Sequence, residues 1–517
     1  MTIVRLLYGY LFFFLLWKLL YALFLSPIFA LQKLRKNGLK GPRPIFPLGN
    51  LIDIKKKLKE TKSLYYPSSR ENISHDIHSS SLPHFAQWQK LYGKVFVYWM
   101  GVEPFLYIAD PEFLKQMNGC VMAKDWGKPK AFIRDRIPLF GEYGLTMIEG
   151  EDWARHRHIA TPAFSSTSLK GMANLIAEST TKVIRNWTTR IGMSNKLELE
   201  MEREVSTLAG EIMAKTNLGI NGELGHILFE KLRALQINLF KHSRYLGVPY
   251  GHFLKLGRTL EAKKLGKEID DIIISIINSR KKVISEEKKN DLLGLLLESE
   301  EYVNGKNVGK LSTREIIDEC KTFFLGGHDT VALTLTWTLM LLAMYPNWQD
   351  ELRQEIKEVI GEKDNLDFTM LPKLKKMGWV MNEVLRLYPS APNTQRQARS
   401  DIQVGDVVIP NGTNVWIDVV SMHHDRGLWG DDVNEFKPER FDGDLYGGCK
   451  HKMAYLPFGF GGRMCLGKNF AIMEYKIVTA SILRHFSFSI SPSYRHFPMH
   501  FFTFRPDTGM PLIVEPL

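Results

Sequence analysis

Cysteine is scarce in this chain, and none of it is grouped. Cys120, Cys320, Cys449 and Cys465 are the four in 517 residues. They show neither metal-knuckle spacing nor a disulfide framework, which fits a reducing compartment. Acidic residues are absent from the start of the chain, where the first is Asp53. No internal repeat or long low-complexity tract appears, so a repeat array is excluded. No flavin or nicotinamide fingerprint is present, and the glycine-rich run near residue 460 lacks the Gly-Lys-Ser/Thr ending of a phosphate loop. Any redox chemistry here must draw its electrons from another protein.

Beside these absences stand a hydrophobic fraction of 44% and a net charge of +12. At this length the chain forms either two domains or one large fold in several layers. The positive balance points to an acidic partner or an anionic membrane surface. Nucleic acid is not expected, because lysine-rich stretches such as 263–267 and 281–289 read as solvated helix faces with acids interleaved.

Thirteen of the twenty residues from Leu6 to Leu25 are Leu or Phe, enough to cross a hydrocarbon core of about 30 Å. Lys18 opposes insertion by roughly 3 kcal/mol, against about 0.3 to 0.6 kcal/mol gained per Leu or Phe, so insertion wins. Lys33, Arg35, Lys36, Lys40 and Arg43 follow, which leaves the remainder of the chain cytosolic. The division expected is an anchor over 1–32, a basic and proline-rich hinge over 33–50, and a catalytic domain over 51–517. With that topology the sequons at Asn72, Asn186 and Asn411 carry no glycan.

The cytosolic part reads as mainly helical α+β. Strands are expected at Val95 to Tyr98, Phe105 to Ile108, Ile402 to Ile409 and Asn414 to Asp418, while residues 55–82 are polar and poorly periodic. A long helix starts at Ser312 with a Ser-x-x-Glu capping box and runs to Tyr345 before Pro346. Gly326-Gly327 in its middle costs about 1 kcal/mol per glycine relative to alanine, and implies a kink or the close approach of something flat. Asp329 and Thr330 follow at once.

Phe458-Gly459-Phe460-Gly461-Gly462-Arg463-Met464-Cys465-Leu466-Gly467 delivers one cysteine from a glycine-rich loop to the mouth of a helix. Free helical amides there favour a thiolate, and Arg463 adds a cation able to hold an acidic edge of a cofactor. Glu383 and Arg386 share a helix face, which taken alone is a surface salt bridge. Trp153 and Arg157 lie one turn apart, able to meet one anionic group. His423-His424 and His156/His158 lack fitting carboxylates and read as packing or surface residues.

The run 458–467 matches Phe-x-x-Gly-x-Arg-x-Cys-x-Gly at every fixed position and resembles the cytochrome P-450 superfamily. Gly326 to Thr330 resembles its distal-helix signature, with Gly326 where alanine is commoner and Val331 where Thr or Ser is usual. Glu383-x-x-Arg386 with Phe436 to Phe441 resembles its Glu-x-x-Arg helix and partner segment. Finer features near 391–396, 423–432 and 489–496 look like the plant clan of cytokinin, gibberellin and brassinosteroid modifiers, fatty-acid hydroxylases and triterpenoid oxidases.

The resemblance implies a P-450 fold behind an N-terminal transmembrane helix in the endoplasmic reticulum, and haem b (iron protoporphyrin IX) with Cys465 as its axial iron ligand. It assigns Trp153, Arg157, Arg396, Phe458 and Arg463 to the cofactor, Asp329 and Thr330 to proton delivery, and Glu383, Arg386 and Arg440 to a structural triad. Phe132, Leu139, Phe324, Gly327, Asn393, Thr394 and Phe502 would line the substrate pocket. The partners implied are an NADPH-dependent flavoprotein reductase with an acidic docking face, the bilayer, dioxygen and a lipophilic substrate. The reaction implied is hydroxylation of a terpenoid or hormone-like metabolite. A fatty-acid or cytokinin hydroxylase is the alternative; an isomerase or dehydratase needing no reductase is remote, because it could dispense with Asp329-Thr330.

Overall fold

The computed structural model describes residues 2–65, 73–121, 125–240, 246–251, 255–283, 291–298, 302–303, 306–307, 310–361 and 368–517. A helix covers Thr2–Leu20, widens by a π turn at Tyr21–Leu25 and continues over Ser26–Lys36. It is the one helix among the described residues long and apolar enough to cross a membrane. It overruns the expected boundary at residue 32. Lys33 pairs with Asp401 at 3.1 Å, Asn37 Nδ2 donates to the Val408 carbonyl at 3.0 Å, and Leu34 and Leu39 are buried. The segment expected as a hinge is thus bonded to the folded domain.

Leu51–Tyr65 forms a helix within the stretch that reads as aperiodic. Leu51, Ile54 and Leu58 keep helical spacing between lysines, a stripe too narrow to stand out. The strand expected over Ile402 to Ile409 is instead a hairpin of Ile402–Val404 and Val407–Ile409, turned at Gly405 with φ +56°. The other three expected strands enter one five-stranded sheet. Within it Val95–Met100 pairs antiparallel with Glu103–Ile108, which runs parallel to Asn414–Asp418. Asn393–Ala398 and then Trp126–Gly127 complete the sheet, both antiparallel.

The long helix runs Thr313–Met344, and its capping box is formed in both directions between Ser312 and Glu315. It is not interrupted at Gly326-Gly327. A Cβ at Gly327 would lie 2.6 Å from the Met213 Sδ of the Met201–Leu218 helix, whereas nothing lies within 4 Å of one at Gly326. Two glycines therefore serve two purposes, close packing on one face and open space on the other. Helix Lys468–Leu483, which follows the cysteine loop, packs on both Ser166–Ile191 and the long helix.

Behind that loop, Glu383 and Arg386 of helix Lys375–Leu387 are fully buried and paired bidentately at 2.7 and 2.8 Å. Arg440 Nε reaches Glu383 Oε1 at 3.4 Å, and the Lys437 amide donates to the same oxygen at 2.9 Å. Arg386 also donates to the carbonyls of His423, Val433 and Glu435. His423 Nε2 in turn accepts from the Leu456 amide at 3.0 Å, so the ion cluster reaches the start of the loop through one imidazole.

That imidazole must be neutral to accept this hydrogen bond, and burial lowers its pKa to about 3. Burial likewise lowers His75, His328, His424 and His500 to about 4 and His84 and His496 to about 3. The unfolded chain takes up these protons below about pH 6.5 while the folded chain does not. Stability is therefore full above that pH and falls as pH drops toward 4, by up to about 1.4 kcal/mol per pH unit per histidine. Thermal midpoints measured from pH 7.5 to 5 should fall throughout the lower half; a flat profile would contradict this. Glu383→Gln, which leaves Arg386 buried without a counter-charge, should lower the unfolding free energy by about 3 to 5 kcal/mol in a denaturant titration. An unchanged midpoint would count against the triad as a structural lock.

Candidate functional site

A cavity of about 460 Å³ lies between the long helix and the cysteine loop. The loop enters it through a reverse turn closed by the Cys465 amide donating to the Phe458 carbonyl at 2.9 Å, with Gly459 and Gly461 at φ +75° and +63°. Phe458 and Cys465 both line the cavity. Burial pushes the Cys465 thiol up, while the Gly467 amide, Arg157 and Lys468 pull it down. The nearby cations are thus Lys468 and Arg157, whose Nη1 donates to the Met464 carbonyl at 2.8 Å. Arg463 turns away from the sulfur: its guanidinium stacks 4.4 Å from the Trp153 ring centroid and donates to the Ile148 carbonyl.

Arg157, Arg396, Arg463 and Lys128 line the cavity together with Trp153. Arg396 is bonded to the Thr394 hydroxyl and the Gln395 carbonyl, and burial brings its pKa down to about 10. Arg463 falls to about 10 through burial and repulsion by Arg396 and Arg157. Burial and the charges of Arg396, Arg463 and Arg136 hold Lys128 well below its ordinary value. Glu149 faces this group but is already paired with Arg399 at 2.5 Å. Cations crowded at the expense of their own basicity mark a wall built for an anionic group with two or more charges.

The opposite wall is the long helix. Gly326, Gly327, Asp329, Thr330 and Thr334 line the cavity. The Thr330 hydroxyl donates to the Gly326 carbonyl at 2.7 Å, which leaves its oxygen free to accept. Thr334 Oγ1 lies 2.8 Å from Ser390 Oγ, and Ser390 donates to the Thr330 carbonyl. Asp329 accepts from Gln236 and Thr503 at 2.9 Å each and from Arg505, which also pairs with Glu202. Burial alone would raise this carboxyl, but Arg505, His328, Gln236 and Thr503 hold it below the usual carboxylate value.

Phe132, Asn393, Thr394 and Phe502 line the cavity as expected, whereas Leu139 and Phe324 do not. Both are fully enclosed in the core, Phe324 near the His328 ring. The resemblance implies both for the pocket, but each sits on the side of its helix that faces the core rather than the cavity. His156 bonds Glu319 at 2.6 Å and ties the helix carrying Trp153 to the long helix. Thr334 was legible as i+4 from Thr330. Arg505, Gln236, Ser390 and Arg136 reach the site from distant segments and carry no local signal.

Cysteine presented to a cavity, a polycationic wall beside it and a hydroxyl-bearing helix opposite fit a flat, dianionic, thiolate-ligated cofactor. A family model for "Cytochrome P450" matches residues 74–510. "Cytokinin hydroxylase" of Arabidopsis thaliana is 38% identical over 501 residues, covering 96% of this chain and 94% of its own. "Cytochrome P450 709B1" of Arabidopsis thaliana is 36% identical, covering 95% and 94%, and "Cytochrome P450 72A68" of Medicago truncatula 33%, covering 96% and 95%. A haem-thiolate cofactor, a reductase as electron donor and dioxygen as co-substrate come with that family. With the family matched across nearly the whole chain and its chemistry written into the cavity walls, this chain belongs to the cytochrome P450 family and is a monooxygenase.

Proposed function

We propose that the protein holds haem b and hydroxylates a hormone-like or terpenoid metabolite, using dioxygen and NADPH electrons passed on by a flavoprotein reductase. The observation that carries this is the single cavity joining Cys465 and the cation wall to Thr330. Haem ligated by the Cys465 thiolate supplies the activation of dioxygen. Trp153, Arg157, Arg396, Arg463 and Lys128 would hold its propionates, and Phe458, which lines the same cavity, would pack against it. The exposed Lys468 beside the loop and the net charge of +12 suit an acidic docking face on the reductase.

Proton handling falls to the opposite wall. Thr330 accepts a hydrogen bond from water in the cavity because its own proton is committed to Gly326. Asp329 stays ionised while Arg505 holds it, so it orients the Thr503 hydroxyl, which also lines the cavity, rather than donating directly. Intact Asp329-Thr330 favours oxygenase over isomerase or dehydratase. A cytokinin is the second reading of the substrate, supported by the relatives named cytokinin hydroxylase.

In membranes reconstituted with reductase, NADPH consumption should yield a product containing one atom of labelled dioxygen. Thr330→Ala should keep NADPH consumption while product per NADPH falls by about tenfold or more, the loss of one positioned proton-transfer group. Unchanged coupling would remove Thr330 from the pathway. We further propose that the chain is anchored in the endoplasmic reticulum membrane by a single span, with the catalytic domain in the cytosol, a reading supported by the apolar N-terminal helix and the cations that follow it. Asn186 and Asn411 are exposed, and Asn72 lies outside the described residues. Endoglycosidase treatment of the membrane-expressed protein should leave its mobility unchanged; a shift would reverse the topology.

A further inference from the structure

One charge in the cavity is left unexplained by the cofactor. Arg136, on helix Lys130–Phe140, lines the cavity with its guanidinium carbon 4.3 Å from the Phe132 ring centroid, 5.6 Å from Phe502 and 5.8 Å from Phe240. Among the described residues its single hydrogen bond is a long one, from Nη1 to Gln395 Oε1 at 3.4 Å, and its buried Nε has no partner. No carboxylate there lies within ion-pair distance; the acid that acts on it is its chain neighbour Asp135.

A guanidinium cannot escape burial by losing its proton. Enclosure brings Arg136 down only to about 10, so it stays charged at neutral pH. Three ring faces offset part of the lost hydration, but they offer no hydrogen-bond acceptors to its donors. The two propionates of a haem already have Arg157, Arg396, Arg463 and Lys128 at hand. A wholly neutral substrate would leave Arg136 uncompensated in a mostly apolar chamber, the costliest way to keep a cation.

We infer that the substrate carries an oxyanion, a carboxylate or a phosphate, and that Arg136 binds it within the cage of Phe132, Phe240 and Phe502. This rests on the oxygenase reading and narrows it: the lipophile is an acid, and its charged end fixes which part of the molecule is free to reach Thr330. The aromatic rings exclude water from the pair and lend it strength that an exposed arginine lacks.

Two experiments on the full-length, haem-loaded protein test this. The first needs no ligand: Arg136→Gln should unfold at the same temperature as the wild type or higher, because it removes an unpaired buried charge. A drop of several degrees would make Arg136 a structural ion and overturn the inference. The second follows the Soret perturbation on titrating palmitate against methyl palmitate, abietate against methyl abietate, and dodecyl phosphate against dodecanol.

The wild type should prefer at least one class of anion over its neutral counterpart by about 10- to 100-fold, the range for one buried charge-assisted pair. Arg136→Gln should bring the ratio close to one, and Arg136→Lys should restore part of it. Preference for the acids assigns a carboxylate, and preference for dodecyl phosphate alone assigns a phosphate. Equal binding in the wild type, or a preference surviving in Arg136→Gln, would overturn the proposal. The carbon monoxide band of the reduced protein reports separately on the haem. Its loss in Arg136→Gln but not the wild type would move Arg136 to the propionates; its absence from both would sink the oxygenase reading instead.

Discussion

The buried Glu383–Arg386 ion pair is the interaction on which the rest of the site depends. Charges without water are costly, and this pair is tolerable only because its hydrogen-bonding groups are met: two guanidiniums and the Lys437 amide donate to Glu383, and three carbonyls accept from Arg386. A packed apolar cluster of equal volume would hold the helices as well, but would not dictate where residues 423–441 run. Through His423 and the Leu456 amide that specification reaches the loop presenting Cys465. The imidazole in this relay is as essential as the ions, since protonating it removes the acceptor.

Electrostatic tension of a different kind shapes the cavity. One wall sets Lys128, Arg157, Arg396 and Arg463 side by side, and burial and neighbouring cations hold Lys128 and Arg463 below their ordinary basicity, a cost that an anion bound there would relieve. On the facing helix the balance is reversed: Asp329 is saturated by Arg505, Gln236 and Thr503. The Asp329 carboxylate is therefore held in place while it orients the Thr503 hydroxyl, and the C-terminal hairpin carrying Arg505 is tied to the helix that forms this wall. Arg136 stands apart from that cation wall in its cage of aromatic rings, with no carboxylate within ion-pair distance among the described residues.

Much of this was readable from the chain. A ten-residue loop with five specified positions, a capping box followed three turns later by paired glycines, and a run of apolar residues before the first acid are all local patterns. Local patterns survive in sequence. The Gly405 turn was missed because β-branched residues on both sides kept strand character across it, and the Leu51–Tyr65 helix because lysines dilute its apolar stripe. The resemblance puts Leu139 and Phe324 in the cavity because they lie on elements that do line it, but rotation about the helix axis decides which side a residue faces, and both face the core. Arg505, Gln236 and Arg136 come from segments far apart in the chain, and only the fold brings Arg136 to the cavity and the other two to Asp329 on its wall.

The central claim is that Cys465 is the thiolate ligand of a haem seated between the cation wall and Thr330. The carbon monoxide difference spectrum of the dithionite-reduced, full-length protein tests it most directly, compared with Cys465→His. The wild type should show the red-shifted Soret band of a thiolate-ligated carbonyl complex, and Cys465→His should bind haem yet give the band of a nitrogen-ligated one. A wild-type spectrum without the thiolate band, or the same band in Cys465→His, would contradict the account.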